Sequence, residues 1–389
     1  MKMFFCILWL FAASVTQAQQ AELKNLSEKS LDMAVRQYLL LDRSVPDSLF
    51  PRSYESNKLI TNRSTWWTSG FFPASLWYLY DYSRNPQLKT AAIKKLNQVE
   101  REKLNTGDHD IGFKIYCPFG NALLSTGDSS YIAIIVQAAQ SLTKRFNSVV
   151  GQIRSWGKPD EQKDFLVIID NMMNLELLFA ATRFTADSSF YKIAVTHADN
   201  TMRNHFRPDG SSFHVVNYDQ STGKVKEKKT AQGLADSSAW SRGQSWGLYG
   251  YTVCYRETHD PKYLHMARRI ASFMLTHANL PDDGIPLWDM NAQAGSPRDA
   301  SAAAIMASAL LELEDHVSEA EKLTYRHWIE KVLTTLSKEP YRTALNESGN
   351  FLLKHGVGHL PAKSEVDVPL SYADYYYIES LLRWRKKNQ

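Results

Sequence analysis

One short turn pattern recurs along the chain between runs of apolar residues that have helical spacing. Each copy joins residues typical of turns to a residue that caps helix N-termini, such as Asp, Asn or Ser, and each ends one apolar run and starts another. The four copies are residues 82–86, 125–131, 185–191 and 258–263. A repeated pattern of helix, short turn and helix predicts stacked helical hairpins, and the chain is long enough for about six of them.

Stacked helical hairpins can form an open solenoid or a closed ring. Open solenoids have more uniform repeats of about 34–47 residues, whereas the segments between these apolar runs are long, irregular and rich in Trp, Asp, His and Gly. Such loops are where binding sites usually lie. We therefore predict an all-α fold, an (α/α)6 barrel whose six hairpins form a toroid with a cleft at one end. Strand-like alternation, mainly in residues 212–218 and 224–226, predicts one small β-hairpin on a loop.

The N-terminus has the order of features found in secretory signal peptides. A charged start, Met1-Lys2, precedes an apolar run over residues 4–15 and small residues up to Ala18. Because the run is short for a bilayer, we predict a signal peptide over 1–18, a single (α/α)6-barrel domain over 19–389, and no membrane span. The protein is then secreted, and periplasmic where the source has an outer membrane. The two cysteines outside this leader are too few for a disulfide framework.

The charge balance excludes some classes of partner. Lys and Arg number 45 against 41 Asp and Glu, and the basic runs at 224–229 and 383–387 are typical of solvated surfaces, so nucleic acid is not an expected partner. The His and Asp residues singled out below do not follow a metal-ligand spacing, so no metal is expected. Aromatic residues make up 12% of the chain, and Trp and Tyr side chains suit stacking on sugar rings. The sequence does not define an oligomeric state.

Four segments combine polar and charged groups that a buried core does not readily accept. They are residues 66–73, 109–113, 169–174 and 236–247. A buried carboxylate must be paired or must shift its pKa. Asp110 and Asp170 are therefore either helix caps or acids with tuned pKa values, and for His109 the structural alternative is a hydrogen-bonded loop histidine.

Taken together, these segments resemble the unsaturated glucuronyl hydrolases, glycoside hydrolase family 88. The resemblance runs from residues 66–71 to residues 374–377, through 151–156 and 232–247, in the same order and spacing. It implies the (α/α)6 barrel, no cofactor, and an unsaturated uronyl oligosaccharide as the partner. The implied activity is release of the 4,5-unsaturated uronic acid from the non-reducing end of lyase-generated glycosaminoglycan oligosaccharides.

The resemblance also implies roles for individual residues. Asp170 is expected to be the general acid and base, and Asp110 the essential second carboxylate. The side chains expected to bind the sugar are His214, Gln232, Arg242, Trp67, Trp156 and Trp246, with the three tryptophans as aromatic platforms. In the family's chemistry a proton goes to C4 of the double bond and water adds at C5, giving a hemiketal that opens and expels the remaining oligosaccharide. One carboxyl group can serve both proton steps.

Two expectations have open alternatives. Lys363 and Ser364, in a polar loop before the last helix, are expected to contact the sugar or sulfate next to the uronate, with an ordinary solvated loop as the alternative. Arg242 suits an anionic sugar because guanidinium matches carboxylate and sulfate geometry. A structural salt bridge from Arg242 to Asp236 is an equal alternative.

Three other functions compete with this interpretation. An unsaturated rhamnogalacturonyl hydrolase would use the same ring and chemistry on pectin fragments, although residues 109–110 and 154–156 favour the glucuronyl substrate. A lyase would use His214 and Tyr218 as a base and acid pair. A non-catalytic sugar-binding protein would use the tryptophans as a platform, which leaves the two aspartates unexplained.

Overall fold

The structure, a computed structural model, describes the backbone of residues 2–389 and the side chains of residues 20–389. The predicted signal peptide, residues 1–18, lies outside the residues whose side chains are described. Its boundary and that of the domain over 19–389 stay predictions. Within the described residues, no helix combines the length and the apolar character needed to cross a membrane.

Twelve α-helices make up most of the described chain. They are α1 (Lys2–Ser44), α2 (Phe71–Ser83), α3 (Pro86–Val99), α4 (Asn121–Thr126), α5 (Ser130–Thr143), α6 (Leu175–Thr185), α7 (Ser188–His205), α8 (Ser241–Thr258), α9 (Pro261–Thr276), α10 (Ala300–Leu313), α11 (Glu319–Leu336) and α12 (Ser371–Lys387). A π-helix, Gly112–Gly120, runs directly into α4. Shorter 3-10 segments are Glu100–Leu104, Ile169–Asn174, Glu314–His316 and Ser348–Asn350.

The even-numbered helices form an inner ring and the odd-numbered helices surround it. Helix α12 packs against α2 and α10, and α8 packs against α10 and α6, while the π-helix closes the ring between α2 and α6. Inner helices are buried almost all round, as in α10, whose Ala and Ser residues allow close approach of its neighbours. Outer helices such as α9 bury one face only. The predicted (α/α)6 barrel is confirmed.

The turns that lead from inner to outer helices share one construction. Helices α2, α4, α6 and α8 each end at a residue with left-handed backbone geometry, and an Asx side chain then accepts a backbone N–H of the next helix's first turn. The accepting residues are Asn85, Asp128, Asp187 and Asp260. All four turns predicted from the sequence are confirmed.

The connections from outer to inner helices are longer and contain the β-strands. The strands are β1 (Phe50–Glu55), β2 (Lys58–Asn62), β3 (Phe146–Asn147), β4 (Gln152–Ile153), β5 (Phe165–Ile168), β6 (Val215–Tyr218), β7 (Val225–Lys229), β8 (Gly356–His359) and β9 (Ser364–Val368). They form four small antiparallel sheets, β1–β2, β3–β4, β5–β6–β7 and β8–β9. The predicted hairpin is confirmed as β6–β7, whereas β5 and the three other sheets were not predicted from the sequence.

Ion pairs connect the inner helices α6, α8, α10 and α12 within the ring. Arg256 of α8 contacts Glu176 of α6 and lies 3.0 Å from Glu312 of α10. Arg383 of α12 lies 3.0 Å from the same glutamate and 3.3 Å from Glu379. A cavity of about 310 Å³ lies beside them, and these paired charges form much of its wall. Arg256 lies in the last turn of α8, where its charge suits the negative end of the helix dipole, and the network links four inner helices.

Candidate active site

Each inner helix contributes a side chain at its N-terminal end, and these ends converge at the mouth of the ring. The side chains, in chain order, are Trp67, Asp110, Asp170, Arg242, Asp299 and Tyr372. Because helix N-termini carry partial positive charge, six converging ends favour an anionic ligand. The fold therefore gives this end of the ring a local preference for anions even though the chain has a net charge of only +4.

Two glycines allow the first three of these segments to approach one another closely. A Cβ on Gly70 would lie 1.9 Å from Phe113 O, and a Cβ on Gly112 would lie 2.8 Å from Asn174 Cα. The backbone N–H of Phe113 also donates to Asn174 Oδ1 at 3.2 Å. These contacts fix the segment that carries Asp110 against the segment that carries Asp170.

Asp170 faces His214 because β5 and β6 pair next to each other. Ile169 N donates to His214 O at 3.0 Å, one residue beyond the paired strands. Asp170 Oδ2 then lies 3.7 Å from His214 Nε2. Both atoms are buried and have no hydrogen-bond partner within the described residues. No side-chain cap is present at the 3-10 segment or at α6, so Asp170 is not a helix cap.

Asp110 lies beside a second histidine. Its Oδ1 is 3.5 Å from His109 Nε2. Burial raises the pKa of the Asp110 carboxyl, and the neighbouring Asp108 raises it further, while Lys114 opposes the shift. Burial lowers the pKa of His109 to about 4, so this ring is neutral at physiological pH. The π-helix that follows has no side-chain cap, so Asp110 is not a cap either.

The carboxyl of Asp170 keeps its proton to a higher pH than an exposed aspartate does. Burial raises its pKa to about 6, and the charge of Asp110 adds to the rise, whereas His109 and Arg242 oppose it. Burial is the main cause of the raised pKa at both Asp110 and Asp170. Each carboxyl therefore keeps its proton to a higher pH than an exposed carboxyl does, which is the requirement for a general acid near neutral pH.

The protonation of His214 follows from its backbone contacts. Its Nδ1 accepts from both Ala231 N and Gln232 N at 3.1 Å. Since amide nitrogens only donate, Nδ1 carries the lone pair and the proton of the neutral ring is on Nε2, facing Asp170. Burial, with the nearby Arg242, holds the pKa of His214 well below its usual value. His214 is therefore a hydrogen-bond donor towards Asp170 and has no free lone pair with which to act as a base.

The base and acid pair of the lyase alternative is not formed. Tyr218 lies four residues along the same strand from His214, a distance of about 13 Å at the usual rise per residue. Its ring is fully buried in a separate small apolar cluster with Phe165 and Val216. The structure gives the lyase alternative no support.

Arg242 is held by backbone carbonyls at the first turn of α8. Its guanidinium donates to Val357 O and to Gly358 O, the latter at 2.7 Å. It also lies 3.6 Å from Asp299 Oδ2, with both side chains buried. The alternative of a salt bridge to Asp236 is therefore wrong, because the first turn of α8 directs Arg242 to the N-cap of α10 instead.

Aromatic rings form one side of the pocket. Trp156 is 36% exposed and packs edge-on against His214, at 5.9 Å between ring centroids. Trp240 lies 4.6 Å from His214 on another side, with the Arg242 guanidinium 4.4 Å above its ring. Trp67 lies 4.9 Å from Tyr372. Trp156 therefore lies beside His214 with part of its ring exposed, whereas Trp67 packs in an aromatic cluster, and the role of both as platforms stays a prediction.

One predicted platform is placed differently. Trp246 is fully buried, packed against Phe113 and Tyr376. It lies more than one helical turn into α8, where side chains pack inside the ring rather than at its mouth. Trp246 therefore supports the floor of the site and exposes no face for stacking.

The remaining predicted residues lie on or against the β8–β9 hairpin. Gln232 Nε2 donates to Gly358 O at 2.9 Å, so this side chain is directed at the hairpin. Lys363 is exposed at the hairpin turn, and Ser364 accepts from Arg52 at 3.4 Å. The structure does not bring Lys363 or Ser364 into contact with the two aspartates, and their role in binding stays a prediction.

Three residues of the site were missed as candidates. Trp240 lies two residues before Arg242 in the segment 236–247, so its position in that segment could have identified it as a site residue. Asp299 and Tyr372 had no such signal, because each becomes part of the site only when α10 and α12 close the ring. In the closed ring the Arg242 guanidinium lies 5.2 Å from the centroid of the Tyr372 ring, which brings Tyr372 into the site.

Comparison with known proteins supports the family that the sequence motifs predicted. The model of Glycosyl Hydrolase Family 88 matches residues 44–389. An unsaturated glucuronyl hydrolase of Formosa agariphila is 42% identical over 95% of this chain and 93% of its own length. An unsaturated chondroitin disaccharide hydrolase of Streptococcus pneumoniae is 33% identical over 92% of this chain and 91% of its own.

Solved structures agree with the sequence relatives. The crystal structure of an unsaturated glucuronyl hydrolase specific for heparin superposes with a TM-score of 0.90, at 42% identity, covering 94% of this chain and 98% of that one. The family predicted from the motifs is thereby confirmed. The chain belongs to glycosyl hydrolase family 88.

Proposed function

We propose that this protein releases the 4,5-unsaturated uronic acid from the non-reducing end of lyase-generated glycosaminoglycan oligosaccharides, by hydration of the C4=C5 double bond. The observation that carries the proposal is the pair of buried, unpartnered atoms Asp170 Oδ2 and His214 Nε2, 3.7 Å apart at the mouth of the ring. A reacting group that lies against both atoms would contact one proton-transferring oxygen and one fixed hydrogen-bond donor.

Asp170 performs both proton transfers in this mechanism. Its carboxyl proton goes to C4, and the resulting carboxylate takes a proton from the water that adds at C5. The hemiketal formed at C5 then opens, and the bond from C1 to the remaining oligosaccharide breaks. His214 cannot take the water proton because its lone pair is engaged by two backbone amides. It can instead donate from Nε2 to the attacking oxygen.

Asp110 and Arg242 set the charge around this step. Burial raises the pKa of Asp170 and the charge of Asp110 adds to the rise, so the acid keeps its proton until the double bond is in place. Arg242 and the converging helix N-termini offset the negative charge of the uronate. The substrate carboxylate would itself raise the pKa of Asp170 further, because like charges disfavour ionisation.

The substrate class is supported by the names of the relatives. One is a glucuronyl hydrolase specific for heparin, and another acts on an unsaturated chondroitin disaccharide. An unsaturated uronic acid at the end of a glycosaminoglycan fragment is the group that the site is proposed to bind. The choice between heparin, heparan, chondroitin and hyaluronan fragments depends on the sugar beyond it.

The test uses the ultraviolet absorbance of the conjugated double bond. Wild-type protein is expected to abolish the absorbance of unsaturated glycosaminoglycan disaccharides, and Asp170→Asn and Asp110→Asn are expected to lose this activity while folding normally. Asp187→Asn is the matched control, because Asp187 caps α7 at the far end of the ring. Turnover of pectin-derived disaccharides alone would establish the rhamnogalacturonyl alternative. Binding without any loss of absorbance would establish the sugar-binding alternative.

We also propose that the protein is exported, on the basis of the signal-peptide pattern over residues 1–18. Expression in a bacterium with an outer membrane, followed by fractionation and N-terminal sequencing, is expected to give a periplasmic protein that starts near residue 19. A cytoplasmic protein that retains residues 1–18 would contradict the proposal.

A further inference from the structure

The two amides that fix His214 belong to a loop that is itself held by another histidine. His359, at the end of β8, has its Nε2 2.9 Å from Ala231 O. Because a carbonyl oxygen only accepts, His359 must donate from Nε2. The Ala231 residue thus accepts a hydrogen bond from His359 through its C=O, and donates one to His214 through its N–H.

The same strand holds two further groups of the site. Gly358 O accepts from Gln232 Nε2 at 2.9 Å and from Arg242 at 2.7 Å. The loop that carries Ala231 and Gln232 is therefore attached to β8 at two successive residues of that strand. This arrangement gives the amides of the loop a fixed position relative to the ring.

The position of this loop also determines the tautomer of His214. Neutral imidazole has two tautomers, and the proton is on Nε2 here only because two N–H groups point at Nδ1. If the loop moved away, Nδ1 could carry the proton, and Nε2 would present a lone pair to Asp170. A lone pair at that position would accept from the acid rather than donate to the attacking water.

We propose that His359 is a positioning residue: by donating to Ala231 O it holds the Ala231 and Gln232 amides against His214 Nδ1, so that His214 presents only a donor to the reacting atoms. His359 acts through the loop and does not itself touch those atoms. This inference rests on the hydration function proposed above, and it explains why a histidine of the β8–β9 hairpin is directed at a backbone carbonyl rather than at solvent.

The test compares two substitutions of His359. His359→Gln places an amide donor at nearly the same distance along the side chain, and it is expected to keep kcat within about threefold of wild type. His359→Leu removes the donor and is expected to lower kcat about tenfold, which is the usual effect of one lost hydrogen bond, with KM changed less than twofold. His355→Asn is the matched control, since His355 directly precedes the same hairpin but pairs with Asp367, and asparagine tolerates its left-handed backbone geometry.

A spectroscopic measurement separates positioning from a general structural effect. In wild type, ¹⁵N shifts of the His214 ring are expected to show a protonated Nε2 and an unprotonated Nδ1. In His359→Leu they are expected to show a mixture of the two tautomers. Unchanged His214 shifts in His359→Leu would overturn the proposal, whether or not kcat falls.

Two further outcomes are also decisive. If His359→Leu does not fold, the same measurements are made on His359→Phe, which keeps a planar ring without a donor and for which the same expectations hold. If the wild type fails to consume any unsaturated disaccharide, the proposed function fails, whereas the ¹⁵N shifts of His214 in the two variants still decide whether His359 controls its tautomer.

Discussion

Replacing Gly112 with alanine tests whether the close approach of two segments sets the positions of the two aspartates. The added Cβ would lie 2.8 Å from Asn174 Cα and 2.7 Å from Asn174 Oδ1. Ordinary van der Waals contact begins at 3.4 Å, so the two segments must separate by about 0.6 Å. The obstacle is partly backbone, so rotation of a side chain cannot relieve it.

This separation moves Asp110 relative to Asp170. Displacement of a catalytic group by about 1 Å costs about 100-fold in rate, so Gly112→Ala is expected to lower kcat/KM by about 30- to 100-fold. The overpacked contact is also expected to lower the free energy of unfolding by about 1–3 kcal/mol. The assay is loss of ultraviolet absorbance from an unsaturated disaccharide, with stability measured by urea unfolding.

Gly107→Ala is the matched control, because Gly107 lies three residues before Asp110 and its added Cβ would meet only the flexible Asn105 side chain, at 3.3 Å. It is expected to keep wild-type activity. A Gly112→Ala protein that is folded and has kcat/KM within threefold of wild type would refute the argument that this contact sets the spacing of the carboxyls.

Three other predictions follow from the site and the ring. Because catalysis needs the protonated form of Asp170, whose pKa is raised to about 6, kcat/KM should be constant below that pH and fall about tenfold per unit above it, as a pH profile with the disaccharide would show. Trp156→Ala should raise KM about tenfold with a smaller change in kcat, since the exposed ring is a binding surface, as initial-rate kinetics would show. Arg256→Met should lower the free energy of unfolding by about 2 kcal/mol in urea titration and leave kcat unchanged, because it leaves the partly buried Glu176 without its cation, whereas Glu312 keeps Arg383.

The ring itself was predictable because its determinants are local. An Asx side chain that accepts the first free amide of a helix needs only a few consecutive residues, and Asn85, Asp187 and Asp260 each do so as the sequence indicates. Such caps mark the start of outer helices one after another. Their repetition predicts hairpins before any long-range contact is known.

The site was predictable only in part, because its residues meet through the closed ring. Asp110 and Asp170 were identified by their motifs, yet the capping alternative was excluded only by the contacts of their carboxyls. Arg242 was assigned a possible partner nearby in sequence, Asp236, whereas the barrel brings it to Asp299. Trp246 was expected at the surface of the pocket because its motif gives its place in the chain but not the face of α8 on which it lies.

Every connection that leads into an inner helix crosses the same end of the ring, and the connections that leave α2, α4, α6 and α8 are short capped turns at the other end. A substitution or insertion in one entry connection therefore changes the pocket while the packed helices keep their arrangement. The barrel therefore has six connections at this end that can each change separately while the packed helices stay in place. Evolution can therefore change which oligosaccharide binds by altering one connection at a time, without repacking the core.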